Sequence, residues 1–296
     1  MNERLIDISD SPSRLSARHD LLVIEANAET VATVPLAEVG VIIASHPMIS
    51  YTNALIARLT AAGGILVVCD AKSMPVGMIF PLDTHHTQAE RFARQAAAPL
   101  PTRKRLWQQV VRAKISAQAA LLRRLRGTDG GLGALVSLVR SGDSTNIEGR
   151  ASQAYWPRVF GDPSFRRTRE GEDQNRHLNY GYAVLRAMAA RAVCAAGLHP
   201  SLGLHHHNRY DAFCLADDLM EPFRPCVDEA VARWISANPG RLELDREAKR
   251  AIVEGLNARV RCQGESRTIM DALQRTAASL AAVYDGQRRK LILPEF

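Results

Sequence analysis

The chain has 296 residues, more than one average domain and fewer than three, with 46% hydrophobic and 23% charged residues, as in an ordinary globular protein. No apolar run approaches the roughly 18 residues of a membrane span, and no apolar segment follows the N-terminus, so we expect neither a membrane protein nor a signal peptide. The five cysteines are odd in number and form no CxxC pair. They are typical of reduced thiols in a cytoplasmic protein.

The first 85 residues alternate short apolar or β-branched runs with turn residues, a pattern that predicts strands. The predicted strands are 5–8, 21–25, 31–34, 39–44, 65–69 and 76–80. One helix interrupts them, with Ser50 or Thr52 as its N-terminal cap. Gly63 and Gly64 supply a C-terminal stop.

The pattern changes to helices from residue 86 onward. Apolar residues recur at helical spacing between Leu106 and Leu122, and a glycine-rich break follows at 127–133. Further helices are predicted at 134–140, 146–160, 174–196, 212–235, 245–259 and 266–286. The sequence therefore predicts an α+β fold, with a small β-rich domain (1–85) followed by a larger all-helical domain (86–296).

The basic residues are unevenly distributed. The net charge is +7, and residues 91–126 contain ten lysines and arginines without a single acid. Such a run repels itself unless an anion neutralises it, which favours a nucleic-acid partner over a merely solvated basic surface. The residues that we predict to contact DNA are Arg103, Lys104, Arg105, Arg112, Lys114, Arg123 and Arg124.

Three segments place acids or imidazoles where a plain core helix would not need them. Glu148 follows Asp143 and Ser144, either of which could cap a helix, and taken alone it could simply favour the helix dipole. His205, His206 and His207 are adjacent and cannot all bind one metal, so taken alone they indicate a polar loop. The third segment supplies Asp217, Asp218 and Glu221, spaced to place two carboxylates on one helix face.

Like charges at this spacing repel each other, and a divalent cation would reverse that cost. Carboxylates with one imidazole suit Mg²⁺ or Mn²⁺, which prefer oxygen ligands, whereas zinc more often draws several histidines or cysteines. The sequence therefore predicts a magnesium or manganese site.

Four segments resemble the universal CRISPR-associated spacer-acquisition endonuclease/integrase family, most closely its type II subtype. They are residues 106–118 (LWQQVVRAKISAQ), 146–156 (NIEGRASQAYW), 178–185 (LNYGYAVL), and 202–206 (LGLHH) with 218–225 (DLMEPFRP). The resemblance covers nearly the whole chain, and its last motif is long and specific.

The resemblance implies that Glu148, His206 and Glu221 hold the catalytic metal, with Asp218 as a supporting carboxylate and His205 as the alternative histidine. It also implies a β-sandwich-like dimerisation domain, a helical catalytic domain, and a hetero-hexamer with a small second CRISPR adaptation protein. The implied reaction is attack by protospacer 3′-hydroxyls on the CRISPR repeat and leader DNA. The type II effector nuclease is a further implied partner.

Two other functions fit parts of the pattern. The chain could be a non-catalytic DNA-binding scaffold that uses only its basic face. It could also be a zinc-dependent hydrolase built on His205, His206 and His207, although adjacent histidines lack the spacing of known zinc motifs.

Overall fold

The computed structural model describes residues 4–71, 74–81 and 85–295, which divide into two compact units, 1–86 and 87–296. The first is built mainly of strands and the second mainly of helices, so the predicted α+β class is confirmed. Among the described residues, no helix has both the length and the apolar character needed to cross a membrane. The roles predicted for the units, dimerisation and metal binding, stay predictions.

The first unit contains two four-stranded sheets, ordered β1-β5-β7-β8 and β4-β3-β2-β6. Strand β5 is a fully buried apolar run that pairs in parallel with β1 and β7, as expected for a central parallel strand. The strands are β1 (Arg4–Ile8), β2 (Ser13–Arg18), β3 (Leu21–Ala26), β4 (Glu29–Pro35), β5 (Val39–Ala44), β6 (Ser50–Tyr51), β7 (Ile65–Cys69) and β8 (Pro75–Ile79).

One hydrophobic core joins both sheets and the helix α1 (Asn53–Ala61). Leu15 and Leu22 enter it from one sheet, Ile42 and Leu66 from the other, and Leu55 from α1. The sheets therefore share a core in a sandwich-like arrangement. Of the two capping candidates for α1, Thr52 is the cap, because its hydroxyl accepts a hydrogen bond from the Leu55 amide.

The second unit is organised around the 27-residue helix α3, whose buried face includes Trp107, Val110 and Ile115. Proline divides the segment predicted as a single helix at 212–235. Glu221, Pro222 and Phe223 form a 3-10 turn between α7 and α8. The helices are α2 (Gln88–Ala96), α3 (Leu100–Arg126), α4 (Leu132–Val136), α5 (Ile147–Val159), α6 (Gln174–Ala195), α7 (Cys214–Met220), α8 (Arg224–Ala237), α9 (Arg246–Leu256) and α10 (Ile269–Tyr284).

A three-stranded sheet in the second unit corrects the all-helical prediction for residues 86–296. Strands β9 (Arg259–Cys262), β10 (Glu265–Thr268) and β11 (Pro294–Glu295) lie in the order β10-β9-β11. Gln263 and Gly264 connect the first two with positive φ angles of 54° and 77°. Both central residues of a tight two-residue hairpin turn adopt positive φ, as these two do. The hairpin therefore takes the place of the adjoining ends of the helices predicted at 245–259 and 266–286.

The close approach of α6 to α8 and α9 generates a stability prediction. A Cβ added at Gly181 would overlap the Val227 side chain and lie 3.0 Å from Ile252 Cγ2. We expect Gly181→Ala to lower the unfolding free energy by about 1–2 kcal/mol in urea titrations, because overpacking outweighs the better helix propensity of alanine. The control is Gly77→Ala, where a Cβ meets open space. A Gly181→Ala variant as stable as the parent would contradict this packing.

Candidate metal centre

The N-terminus of α5 is fixed by two side chains that hold Glu148 in place. Asn146 occupies the N-cap position with φ 52° and accepts from the Gly149 amide at 3.2 Å. Asp143 accepts from the amides of Ile147 and Glu148, at 3.0 and 2.9 Å. Three otherwise unpaired amides of the first turn are thereby satisfied, so Glu148 starts from a rigid backbone.

Glu221 lies in the 3-10 turn after α7, and it is almost completely buried. Its carboxylate contacts Lys114 Nζ at 2.6 Å and Arg224 Nε at 2.8 Å. The Lys114 ammonium, which projects from the middle of α3, also contacts Glu148 Oε1 at 2.5 Å. Two predicted metal ligands, from α5 and from the turn, therefore meet at one cation.

The ionisation of this cluster follows from burial and charge. Burial raises the pKa of the Glu221 carboxyl, but Arg224 and Lys114 outweigh burial and lower it to about 2. Burial likewise lowers the pKa of the Lys114 ammonium, and Glu221 and Glu148 raise it above its usual value. Glu221 and Lys114 are therefore both charged at neutral pH, and neither could lose its partner without cost.

Asp218 holds the loop that carries His206. Its carboxylate is completely buried and contacts His206 Nδ1 at 2.6 Å. It also accepts from the amides of Leu204 at 2.5 Å, His205 at 3.0 Å and His206 at 3.3 Å. The hydrogen bond to Asp218 raises the pKa of the His206 imidazole, against the opposing effect of burial. A carboxylate on the far nitrogen is the usual support of a metal-binding histidine.

The three adjacent histidines make different contacts. The His205 ring stacks on buried Trp107 with centroids 4.4 Å apart, and His207 Nε2 lies 3.1 Å from Arg103. The His205 and His206 rings lie nearly perpendicular to each other. This arrangement gives no support to a zinc site built on the three together.

The predicted ligands fit a hard divalent cation in their chemistry, although they are not gathered as a finished site. Within the described parts of the chain, no three histidine, cysteine, aspartate or glutamate side chains are grouped closely enough to hold a metal. The Lys114 ammonium instead acts as a stand-in cation between Glu148 and Glu221. Two carboxylates facing one positive charge, with a carboxylate-supported imidazole on the adjoining loop, are suitable donors for Mg²⁺ or Mn²⁺. The ligand set stays a prediction.

The basic residues of α3 differ in their burial and in their ion pairs. Lys114 is buried in its ion pairs, and its predicted contact with DNA stays a prediction. Arg123 pairs with Asp129 at 2.6 Å and Arg124 with Glu229 at 2.7 Å, so acids from outside the run neutralise part of it. Of the residues predicted to contact DNA, the exposed ones without such an acid in the described residues are Lys104, Arg105 and Arg112.

Sequence reasoning missed a buried polar network behind the carboxylates. Arg224 lies over the Tyr182 ring at 4.5 Å, and Tyr182 and Tyr155 both donate to the carboxylate of Asp228, the latter at 2.7 Å. Arg224 and Asp228 share a face of α8 because they are four residues apart, so this spacing could have revealed the network. Asp217, one of the two acids whose spacing could place it on a helix face with Glu221, instead forms a two-pronged ion pair with Arg186.

A family model described as CRISPR associated protein Cas1 matches residues 6–251. The chain belongs to the Cas1 family. It is 34% identical over 292 residues, 95% of this chain and 93% of the relative, to the CRISPR-associated endonuclease Cas1 of Neisseria meningitidis serogroup C. The predicted membership is therefore confirmed, and this is a family of CRISPR-associated endonucleases.

Two solved structures share the Cas1 fold of this chain. One is a casposase bound to an integration product, with a TM-score of 0.77 and 20% identity, covering 98% of this chain and 92% of the other. The second is a Cas6-RT-Cas1–Cas2 complex, with a TM-score of 0.74 and 18% identity, covering 97% of this chain and 35% of the other. At these identities, the likeness shows the fold.

The buried Asp228 generates a prediction about pH. Burial raises the pKa of Asp228 from 3.8 to about 6, although Tyr155 and Tyr182 lower it by donating hydrogen bonds. The folded state therefore holds this proton more firmly than the unfolded state. The stability that protonated Asp228 contributes to the fold is fully present below pH 3.8, and it is lost as the pH rises through about 6.

We expect the unfolding free energy of the parent, relative to Asp228→Asn, to fall by on the order of 2–3 kcal/mol between about pH 4 and pH 7. Urea titrations of both proteins across this range would measure the difference. A difference that does not change with pH would contradict the raised pKa.

Proposed function

We propose that this Cas1-family chain is a metal-dependent endonuclease and integrase of CRISPR adaptation, which inserts protospacer DNA into the CRISPR array. The observation that carries the proposal is the meeting of Glu148 and Glu221 at one cation. These carboxylates come from separate elements, Glu221 buried and Glu148 partly buried, and a protein without a need for a cation site would avoid placing them together. Family membership supplies the reaction class.

Glu148, His206 and Glu221 would hold Mg²⁺ or Mn²⁺. When bound, the ion would polarise the scissile phosphate and lower the pKa of the attacking hydroxyl. Asp218 bonds to His206 Nδ1, which leaves Nε2 as the nitrogen available to a ligand. Arg224 holds one oxygen of Glu221 and fixes the orientation of that carboxylate. The chain's own residues thus orient all three donors.

We propose direct transesterification by a DNA 3′-hydroxyl, without a covalent protein–DNA intermediate. A tyrosine recombinase needs an accessible phenol as its nucleophile. Tyr155, Tyr180 and Tyr182 are all buried, and burial raises the pKa of Tyr155 and Tyr182 well above the ordinary value. Their burial argues against these three tyrosines as the nucleophile.

The proposed partners are protospacer DNA and the CRISPR repeat and leader, a second copy of the chain, and a small second adaptation protein of the Cas2 kind. The fold neighbours bound to an integration product and assembled with Cas2 support the DNA and the small partner. The hetero-hexamer, and contact with the type II effector nuclease, rest on the family resemblance alone.

The first test of the proposal removes the predicted ligands one at a time. We expect Glu148→Gln, His206→Ala and Glu221→Gln each to reduce integration of a labelled protospacer into a repeat-bearing plasmid by at least about a hundredfold. Integration should require Mg²⁺ or Mn²⁺ and should fail when the protospacer 3′ ends are blocked. The assay includes the small partner, and circular dichroism checks that each variant folds.

The matched control is His205→Ala, because His205 stacks on Trp107 and does not contact Asp218 through its ring. This variant should retain most integration activity. If His205→Ala loses activity while His206→Ala keeps it, the assignment is wrong by one residue. Binding of DNA without metal-dependent strand joining would favour the non-catalytic scaffold, and dependence on stoichiometric zinc would favour the hydrolase.

The second test concerns the exposed basic residues of α3. Neutralising Lys104, Arg105 and Arg112 to glutamine should weaken binding to unrelated duplexes equally, because phosphate contacts carry no sequence information. Each lost contact should flatten the dependence of log affinity on log salt by about 0.9. Fluorescence anisotropy at several salt concentrations measures this slope.

The control for the second test is Arg123→Gln with Arg124→Gln, since both arginines already pair with acids. We expect the control to change the slope less than the triple variant does. An unchanged slope in the triple variant would show that this part of α3 does not meet DNA.

A further inference from the structure

Lys114 occupies the position between two predicted metal ligands. Its side chain is 11% exposed and reaches Glu148 at 2.5 Å and Glu221 at 2.6 Å. A buried lysine is costly unless carboxylates compensate its charge, and here two of them do so. The placement therefore requires an explanation beyond helix packing.

The charges around Lys114 balance without a metal. Glu148 and Glu221 carry two negative charges, and Lys114 with Arg224 carries two positive ones. A divalent ion added to this balanced set would be repelled by both cations at close range. One positive group must move away before a metal can bind well.

Lys114 is better placed to leave than Arg224. The Arg224 guanidinium stacks over the Tyr182 ring at 4.5 Å in addition to binding Glu221. The only contacts that the described residues give the Lys114 ammonium are the two carboxylates. The lysine stem is also flexible, and the side chain of Glu148, at 24% exposed, marks the open side of the cluster.

We propose that Lys114 is an internal, exchangeable cation, which holds Glu148 and Glu221 together in the metal-free protein and is displaced from between them when the metal binds. This inference rests on the metal site of the proposed function. Lys114 is then a positioning residue. It keeps the ligands gathered before the ion arrives, and it weakens metal affinity because the ion must compete with it.

The first measurement is Mn²⁺ affinity, followed by calorimetry or by the electron paramagnetic resonance signal of free Mn²⁺. Lys114→Met keeps the length of the side chain and removes its charge. We expect it to bind Mn²⁺ about tenfold tighter or more than the parent. The metal-free variant should melt at a lower temperature than the metal-free parent, and Mn²⁺ should raise its melting temperature by more. Arg123→Met is the matched control, because it removes a charge from the exposed end of the same helix, and its affinity should not change.

The second measurement uses the parent protein, so it decides the matter even if Lys114→Met fails to fold. An amine-acylating reagent followed by mass spectrometry reports how accessible each lysine is. Lys114 should be protected without metal and become labelled several-fold faster with saturating Mn²⁺. Lys104 is exposed on the same helix and should be labelled equally in both states.

The outcomes separate this inference from the proposed function. Mn²⁺ binding that Glu148→Gln abolishes, together with tighter binding by folded Lys114→Met and metal-dependent labelling of Lys114, supports both. Glu148-dependent binding with Lys114 still protected, or with no gain in affinity for a folded Lys114→Met, overturns the exchange and leaves the metal site standing. If the parent binds no Mn²⁺, or if Glu148→Gln binds it as well as the parent does, the metal site fails and the exchange fails with it.

Discussion

A buried carboxylate and a partly buried one from distant segments of the chain can remain side by side only if positive charge lies between or beside them. This constraint explains why α3, α5 and the turn between α7 and α8 meet where they do. Lys114 comes from the first, Glu148 from the second and Glu221 from the third, and Arg224 follows at the start of α8. Pro222 lies in the 3-10 turn that separates α7 from α8, and Glu221 is buried at the start of this turn.

The supporting contacts are of two kinds. Asp143 and Asn146 fix the backbone from which Glu148 projects, by satisfying amides at the start of α5. Asp218 fixes the histidine loop by accepting hydrogen bonds from three backbone amides and by contacting the imidazole of His206. In both cases a carboxylate accepts hydrogen bonds from backbone amides. The main chain that carries Glu148 and His206 is thereby fixed, which limits where these two side chains can lie.

Much of this could be predicted from the sequence because the signals were local. The apolar runs of the first unit and the helical periodicity of α3, α5 and α6 follow from patterns within single elements. Strand β2 was missed because SRLSAR has no run of apolar residues, with Leu15 and Ala17 as its only apolar side chains. The β9–β10 hairpin was missed because Gln263 is not a residue type that usually marks a tight turn.

The site shows the same division between local and tertiary information. Spacing could place Asp218 and Glu221 on one short segment, but it could not show that Asp217 would turn away to Arg186. The basic run could be counted, yet only the tertiary structure separates buried Lys114 from exposed Lys104. The charge of a side chain can be read from the sequence, whereas the sign of its surroundings depends on which distant acids pack against it. A lysine counted as one of ten basic residues thus becomes, in the folded chain, the partner of the two acids that the sequence assigned to a metal.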